Sequence, residues 1–226
     1  MKKVFIAICV SLTVIGIGAM CYISSNNNEK VASSKIVEPE GVINASLKAL
    51  TFEESLNEAD LIAKVKILNQ VEQIDKPDAA TIFKSNVVEV FNNSPISVGS
   101  EINIMQQGNS KWVFNGNAPF KDGEEIILFL KAAVGFDNTY FIVSEEVNTY
   151  KFIEINKEEY VVKQAKNDKY LEAYEDKEQS KEINNYLESK KGKYEKVKDI
   201  QVFKADSFIK MLREKGKNNE IKKEEN

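Results

Sequence analysis

The stretch GEEIILFLK, residues 123–131, sets five consecutive apolar residues behind a glycine. A short run with no polar alternation is typical of a strand that is buried on both faces. Gly123 lies shortly before this run and indicates a turn at the start of the strand. The stretch therefore predicts a buried strand inside a β-domain.

Three further strand patterns precede this stretch. Leu61, Ala63, Val65 and Ile67 alternate with their neighbours, as in a strand with one face in a core. Turn sequences follow at 75–80 (DKPDAA) and at 92–100 (NNSPISVGS). Between and after these turns, β-branched or alternating runs predict strands at 81–91 and 101–108.

A fifth strand pattern covers residues 139–155, with a predicted bend near Ser144. The segment EYVVKQ, 159–164, is expected to pair back on it across Asn156-Lys157. Five strands joined by short turns predict a closed antiparallel barrel, because closure leaves no exposed edge. We assign this barrel to residues 49–165.

Helices are predicted on both sides of the barrel. Thr51 with Glu54 three residues later forms a capping box before a short helix. Residues 166–226 are rich in Lys, Glu, Asn and Tyr and predict a helical extension with a charged tail. Within it, 199–203 (DIQVF) predicts one short strand. Residues 204–217 predict a helix with Asp206 or Ser207 as N-cap and Gly216 as its end.

The N-terminus has the pattern of an export signal. Two lysines precede an uncharged stretch from Val4 to Ile23, which as a helix is roughly 30 Å long and matches the bilayer core. We predict a membrane anchor at 1–24, a polar linker at 25–48, and a C-terminal domain outside the cytoplasm. Two alternatives remain open: cleavage with secretion, and lipidation at Cys21, although Met20 replaces the small residue that lipidation requires.

Composition excludes several functional classes. Histidine is absent, which removes the commonest general base and zinc ligand. Both cysteines, Cys9 and Cys21, lie in the predicted anchor, so no disulfide is expected in the domain. A net charge of -4 argues against nucleic acid as a partner. No metal and no cofactor is predicted.

The order of elements resembles a known family. An acidic helix in FEESLNEADLIAKVKI is followed by VVEVFNN, VGSEINIMQQG and FKDGEEIILFLK. This order resembles small exported bacterial proteins whose domains look like OB-folds of the netrin and tissue-inhibitor-of-metalloprotease (TIMP) kind. Val98-Gly99 and Gly123-Glu124 match best, whereas Asn92-Asn93 replaces an expected Lys-Gly and Ser100 an expected Asp. The resemblance covers about residues 50–145 and implies an OB-like barrel without an assigned activity.

The resemblance also bears on one mechanism. Metalloprotease inhibitors of that superfamily chelate the protease zinc through an N-terminal cysteine and brace the barrel with disulfides. Because both cysteines of this chain lie before residue 24, the resemblance implies no inhibition of this kind.

Candidate binding residues cluster in the loop before the buried strand. The loop contains the chain's only tryptophan. Aromatic rings and amide groups together suit stacking on a flat or peptide group. An alternative is that these aromatics merely close the end of the barrel. The predicted partner-binding residues are Trp112, Phe114, Asn115, Asn117 and Phe120.

Two other sets of side chains are candidate sites. The carboxylates at 53, 54, 58, 60, 145 and 146 suit capping and solvation better than calcium binding or acid–base chemistry. Tyrosines at 160, 170, 174, 186 and 194 among lysines suit packing, or binding of a glycan or anionic polymer.

The sequence thus predicts a non-enzymatic module, tethered outside the membrane, that binds a protein or peptide through the loops at the barrel rim. The alternatives are an enzyme or subunit that acts on a wall polymer through a carboxylate pair, and a structural component of an envelope assembly.

Overall fold

The computed structural model describes residues 39–46, 48–164, 168–197 and 199–224, and for Glu146 and residues 217–224 it describes the backbone alone. The first helix, α1 (Phe52–Glu58), begins at the predicted capping box. Thr51 Oγ1 accepts from the Glu54 N–H, and the Glu54 carboxylate accepts from the Thr51 N–H at 2.7 Å. These two bonds satisfy free N–H groups at the helix start and confirm the prediction.

Seven strands lie between residues 41 and 142. They are β1 (Gly41–Ile43), β2 (Leu61–Ile74), β3 (Ala80–Val90), β4 (Glu101–Gln107), β5 (Trp112–Phe114), β6 (Glu125–Ala132) and β7 (Thr139–Ile142). Five of them form a closed mixed barrel in the order β6-β2-β3-β4-β7, and the β6–β7 pairing closes it. The predicted five-stranded β-barrel with helical additions is therefore confirmed as a fold class.

The prediction that every strand pair is antiparallel was wrong. β4 and β7 pair in parallel, with Ile104 opposite Tyr140. The reason is geometric: in a ring of five strands, direction cannot alternate at every neighbour, so one pair must be parallel. β6 and β7 form an antiparallel hairpin, and the other neighbour of β7 in the ring is β4. β7 runs in the same direction as β4.

The predicted strand at 139–155 is two strands. Ser144 and Glu145 adopt left-handed φ values of 54° and 45°, and a short 3-10 helix follows at Glu145–Asn148. The chain then leaves the barrel as β8 (Thr149–Ile155), which forms a hairpin with β9 (Glu158–Lys163). Asn156 and Lys157 both have positive φ, as the predicted tight turn requires.

The C-terminal part completes the sheet and covers it. The predicted short strand forms as β10 (Gln201–Lys204) and pairs with β9. Two helices flank it, α2 (Lys177–Lys190) and α3 (Ala205–Glu224). Asp176, not predicted as a cap, accepts from the Gln179 N–H at the start of α2.

Both predicted ends of the last helix were wrong. β10 runs directly into α3, so Asp206 and Ser207 lie inside the first turn and not at an N-cap. The helix also continues through Gly216. A β-carbon at Gly216 would lie 1.6 Å from the Phe91 carbonyl oxygen. The glycine therefore permits close contact between α3 and the end of β3, and does not end the helix.

The core has two main layers that share β6. Ile126, Leu128 and Leu130 point into the barrel, where they contact residues such as Phe83 and Ile104. Ile127 and Phe129 point outward and pack against α1 and α3. This alternation explains why GEEIILFLK has no polar face, and it confirms the prediction of a strand buried on both sides.

The predicted anchor, residues 1–24, lies outside the described residues, and so does most of the predicted linker. Residues 41–43, at the end of that linker, form β1. None of the helices in the part of the chain that the structure describes has the length and hydrophobicity of a bilayer-spanning segment.

Candidate functional site

The loop with the tryptophan is built on a buried asparagine. Asn109 is fully buried, and its side-chain oxygen accepts from the N–H groups of Lys111 and Trp112, both at 3.0 Å. Its amide nitrogen donates to Ile74 O and to Asp75 Oδ1. This one side chain holds the loop against the end of the β2–β3 hairpin. Asn109 was not among the predicted residues, because the sequence shows only the polar composition of the loop.

The loop then pairs with the chain's N-terminal part. β5 runs parallel to β1, with Gly41 opposite Trp112 and Ile43 opposite Phe114. The indole ring lies over Gly41, where a β-carbon would be 2.9 Å from Cζ3. Trp112 is 38% exposed, and Phe114 is buried. Trp112 and Phe114 are two residues apart on the strand and so share one face.

The two predicted asparagines shape the turn after β5. Asn115 has a φ of 50°, and its side chain accepts from Ala45 N at 2.9 Å and donates to Ala45 O at 3.1 Å. The Asn117 N–H donates to Phe114 O at 2.8 Å. Asn115 therefore ties the segment after β1 to the loop. Asn117 is half-buried and closes the turn.

Phe120 belongs to the barrel core. It is 5% exposed, and its ring centroid lies 5.5 Å from that of Phe83 inside the barrel. Gln106 is also buried and holds the backbone on either side, accepting from the Phe120 N–H and donating to Ala118 O. For Phe120, the alternative interpretation of a barrel cap describes the contacts best.

Beside the loop lies a groove, which we call the rim groove. It encloses about 500 Å³ between β1, the turn after β2 and the end of β7. Trp112 and Phe114 line it together with Phe141, which is 40% exposed and was not among the predicted residues. Two of the five predicted residues thus reach the groove. Phe141 was missed because it lies on a strand that is distant in sequence from the aromatic loop.

The ionisable side chains that line the rim groove are acidic: Asp75, Asp78 and Glu145. Asp75 contacts Lys111 Nζ at 2.8 Å. This hydrogen bond and the lysine charge lower the pKa of Asp75, and the same bond raises the pKa of Lys111. The pair lies at the surface and braces the start of β5 against the β2–β3 turn.

A second, smaller cavity of about 20 Å³ adjoins the rim groove through Phe114 and Glu145. Asn117 and Phe120 line this cavity with Gln106 and Lys151. Its volume is that of roughly one water molecule. The cavity lies between the loop and β8 and is too small for an organic ligand.

The predicted carboxylates have structural contacts. Glu54 closes the capping box, and its hydrogen bonds to Thr51 lower its pKa. Glu58 pairs with Lys131 at 3.0 Å, and Asp60 accepts from the Ala132 N–H at 2.9 Å. In the part of the chain that the structure describes, no group of three or more acidic, cysteine or histidine side chains is placed to hold a metal ion.

The tyrosines divide into packed and exposed ones. Tyr170 stacks on Phe52 with ring centroids 5.4 Å apart. Tyr160 is buried, and its hydroxyl donates to Glu158 at 2.6 Å. This hydrogen bond raises the pKa of Tyr160 to about 12. Tyr174 and Tyr186 are exposed by 38% and 43%. Packing thus accounts for Tyr160 and Tyr170 but not for Tyr186.

No protein-family model matches this chain, and no curated protein matches it either. Function is therefore inferred from the geometry of the molecule.

Proposed function

We propose that this protein is a non-enzymatic binding module, and that its rim groove holds an extended peptide segment of a protein partner. The observation that carries the proposal is the partly exposed aromatic surface of the groove. Trp112 and Phe141 expose about two fifths of their surfaces beside a concave site of about 500 Å³. Partly exposed aromatic rings in a concave site are typical anchors of protein recognition.

The shape of the groove favours a peptide over a compact ligand. β1 and β5 form a two-stranded ribbon, and among the described residues neither pairs with a further strand. The outward backbone groups of Trp112 and Phe114 on β5 already bond to Asn109 and Asn117. The outer edge of β1 is therefore the one to which an extended backbone can add by hydrogen bonding. Ile43 and Ala45 line the groove beside this ribbon, which supplies apolar contacts for alternate side chains of the added segment.

We further propose that the domain is displayed outside the cytoplasm on a membrane anchor. Support comes from Lys2 and Lys3 followed by the uncharged stretch Val4–Ile23. The domain contains no cysteine, so it folds without disulfides in an oxidising compartment. Mass spectrometry of the mature N-terminus tests the anchor: an intact Met1–Lys3 segment supports it, and a new N-terminus near residue 24 supports secretion instead.

Site-specific photocrosslinking tests the rim groove. A photoreactive phenylalanine replaces Phe141 in one sample and Val98 in the control. Val98 is 65% exposed and precedes β4, whereas Gln107 at the other end of β4 lines the groove. We expect one discrete crosslinked protein from position 141 and none from position 98.

The crosslinked partner is then purified for binding measurements. Trp112→Ala and Phe141→Ala should each weaken binding by on the order of tenfold or more, as expected for aromatic anchors. Equal crosslinking from both positions, or unchanged affinity of both variants, would rule out the rim groove as the binding site.

A further inference from the structure

A second groove lies on the other side of the loop that follows β5. It encloses about 250 Å³ between that loop, β8 and the C-terminal half of α2. We call it the lysine groove, because its lining includes two glutamates but five lysines. The lysines are Lys121, Lys151, Lys190, Lys191 and Lys196. It shares no lining residue with the rim groove.

The charge of the lysine groove is opposite to that of the whole chain, which carries -4. Lys151 pairs with Glu124 at 3.1 Å, and Lys191 pairs with Glu188. Lys121, Lys190 and Lys196 form no ion pair with any described residue. A cluster of unpaired positive charges on an acidic protein attracts anions and repels cations.

The loop that carries Lys196 is held against the loop after β5. The Lys196 N–H donates to Gly116 O at 2.9 Å. Gly116 has a φ of 85°, and a β-carbon there would lie 2.8 Å from Lys196 Cγ. The stem of Lys196 therefore packs on the glycine, and its ammonium group is held beside the groove.

Between the lysines the groove is apolar and aromatic. Tyr186 is 43% exposed, and Phe152 and Leu187 are half-buried. Exposed aromatic faces stack on the flat C–H faces of sugar rings, whereas simple phosphate binding needs no such surface. Tyr186 is also the more exposed of the two exposed tyrosines, whereas the ring of Tyr174 lies 6.2 Å from that of Tyr170.

We propose that the lysine groove binds an acidic sugar polymer, in which a carboxylate or phosphate is attached to each sugar unit. The lysines contact the charges, and Tyr186 stacks on a ring between them. Such binding would position the module on a polyanionic surface while the rim groove remains free for its partner.

Two fluorescent probes test this site on the full chain: oligogalacturonate, which carries carboxylates, and a phosphomannan fragment, which carries phosphodiesters. Neutral mannan of equal length and inorganic polyphosphate serve as controls. We expect at least one acidic sugar to bind, with an affinity that falls as salt increases. Whichever acidic probe binds more tightly identifies the anionic group.

Variants locate the binding. Lys190→Gln with Lys196→Gln should weaken binding by on the order of tenfold. Lys177→Gln with Lys181→Gln makes the same charge change on α2 outside the groove and should leave binding unchanged. Tyr186→Ala should weaken binding several-fold, whereas Tyr186→Phe should retain it, since the ring is preserved.

Three results would overturn the proposal. They are no binding of either acidic sugar, an equal loss in both double-lysine variants, and binding of polyphosphate as tight as that of the sugars together with no effect of Tyr186→Ala.

Discussion

The indole ring of Trp112 lies across Gly41, 71 positions earlier in the chain, so that a β-carbon at Gly41 would lie 2.9 Å from the ring. We predict that Gly41→Ala displaces the indole and exposes it to water. Because Trp112 is the only tryptophan, its fluorescence reports this displacement directly. The emission should shift to longer wavelength and be quenched more strongly by iodide. Gly99→Ala is the control: it strains the backbone at a φ of 87°, but no atom lies within 4 Å of its β-carbon position, so it should leave the indole in place. An identical spectrum for Gly41→Ala and wild type would contradict the arrangement.

Phe120 and Phe141 should separate stability from binding. Phe120 is 5% exposed and fills the barrel beside Phe83, so Phe120→Ala should lower the free energy of unfolding by about 3–5 kcal/mol. Phe141 is 40% exposed, so Phe141→Ala should change it by only about 0.5 kcal/mol. Urea denaturation of both variants measures the difference. A larger loss for Phe141→Ala would reverse the roles that we give these two rings.

Asn115 should hold the segment after β1 in place. Asn115→Ala removes both hydrogen bonds to Ala45 and puts alanine at a φ of 50°. We expect a destabilisation of about 1–3 kcal/mol. Asn115→Gly removes the same bonds but tolerates the positive φ, so it should lose less.

Hydrogen exchange at the Ala45 amide measures the loss of the hydrogen bond separately from the backbone strain at residue 115, since this N–H donates to the Asn115 side chain. It should exchange faster in both variants. An unchanged rate would show that the side-chain bond does not protect this segment.

Local signals in the sequence were sufficient for individual elements. Thr51 and Glu54 are three residues apart, so their capping box depends on no distant residue. The turn at Asn156-Lys157 is equally local. The need for one parallel pair was also accessible, because it follows from the odd number of strands in a closed ring, whereas its location between β4 and β7 depends on which strands pair.

Contacts between distant residues were not accessible in this way. Asn115 reaches Ala45 across 70 positions, and nothing in either segment indicates the other. Gly216 looked like a helix end because glycine commonly ends helices, yet its role depends on the position of the Phe91 carbonyl. The rim groove needed Phe141 from a third segment. Composition identified the aromatic loop, whereas the groove depends on how three segments meet.

Tyr150 provides a prediction on pH dependence. It is fully buried in the outer core layer, its ring lies 5.0 Å from that of Phe208, and its hydroxyl has no hydrogen-bond partner among the described residues. Burial, with a smaller contribution from the charge of Asp168, raises the pKa of Tyr150 well above 10.0. The folded protein therefore keeps a phenolic proton that the unfolded chain loses above about pH 10.

Since the unfolded chain binds fewer protons in that range, stability should fall as the pH rises beyond 10.0. Tyr150→Phe should match or slightly exceed wild-type stability at pH 7, because it removes an unpaired hydroxyl. Its advantage should then grow with pH above 10.0, as measured by urea denaturation across the alkaline range.

Tyr160→Phe is the matched control. Hydrogen bonding to Glu158 raises the pKa of Tyr160 to about 12, so its own alkaline contribution ends near that pH. Unlike Tyr150→Phe, it should lose stability at pH 7, because it removes a hydrogen bond of 2.6 Å. If Tyr150→Phe and wild type lost stability in parallel above pH 10, the phenol would not be buried in the core, and the packing of α3 on β8 would need revision.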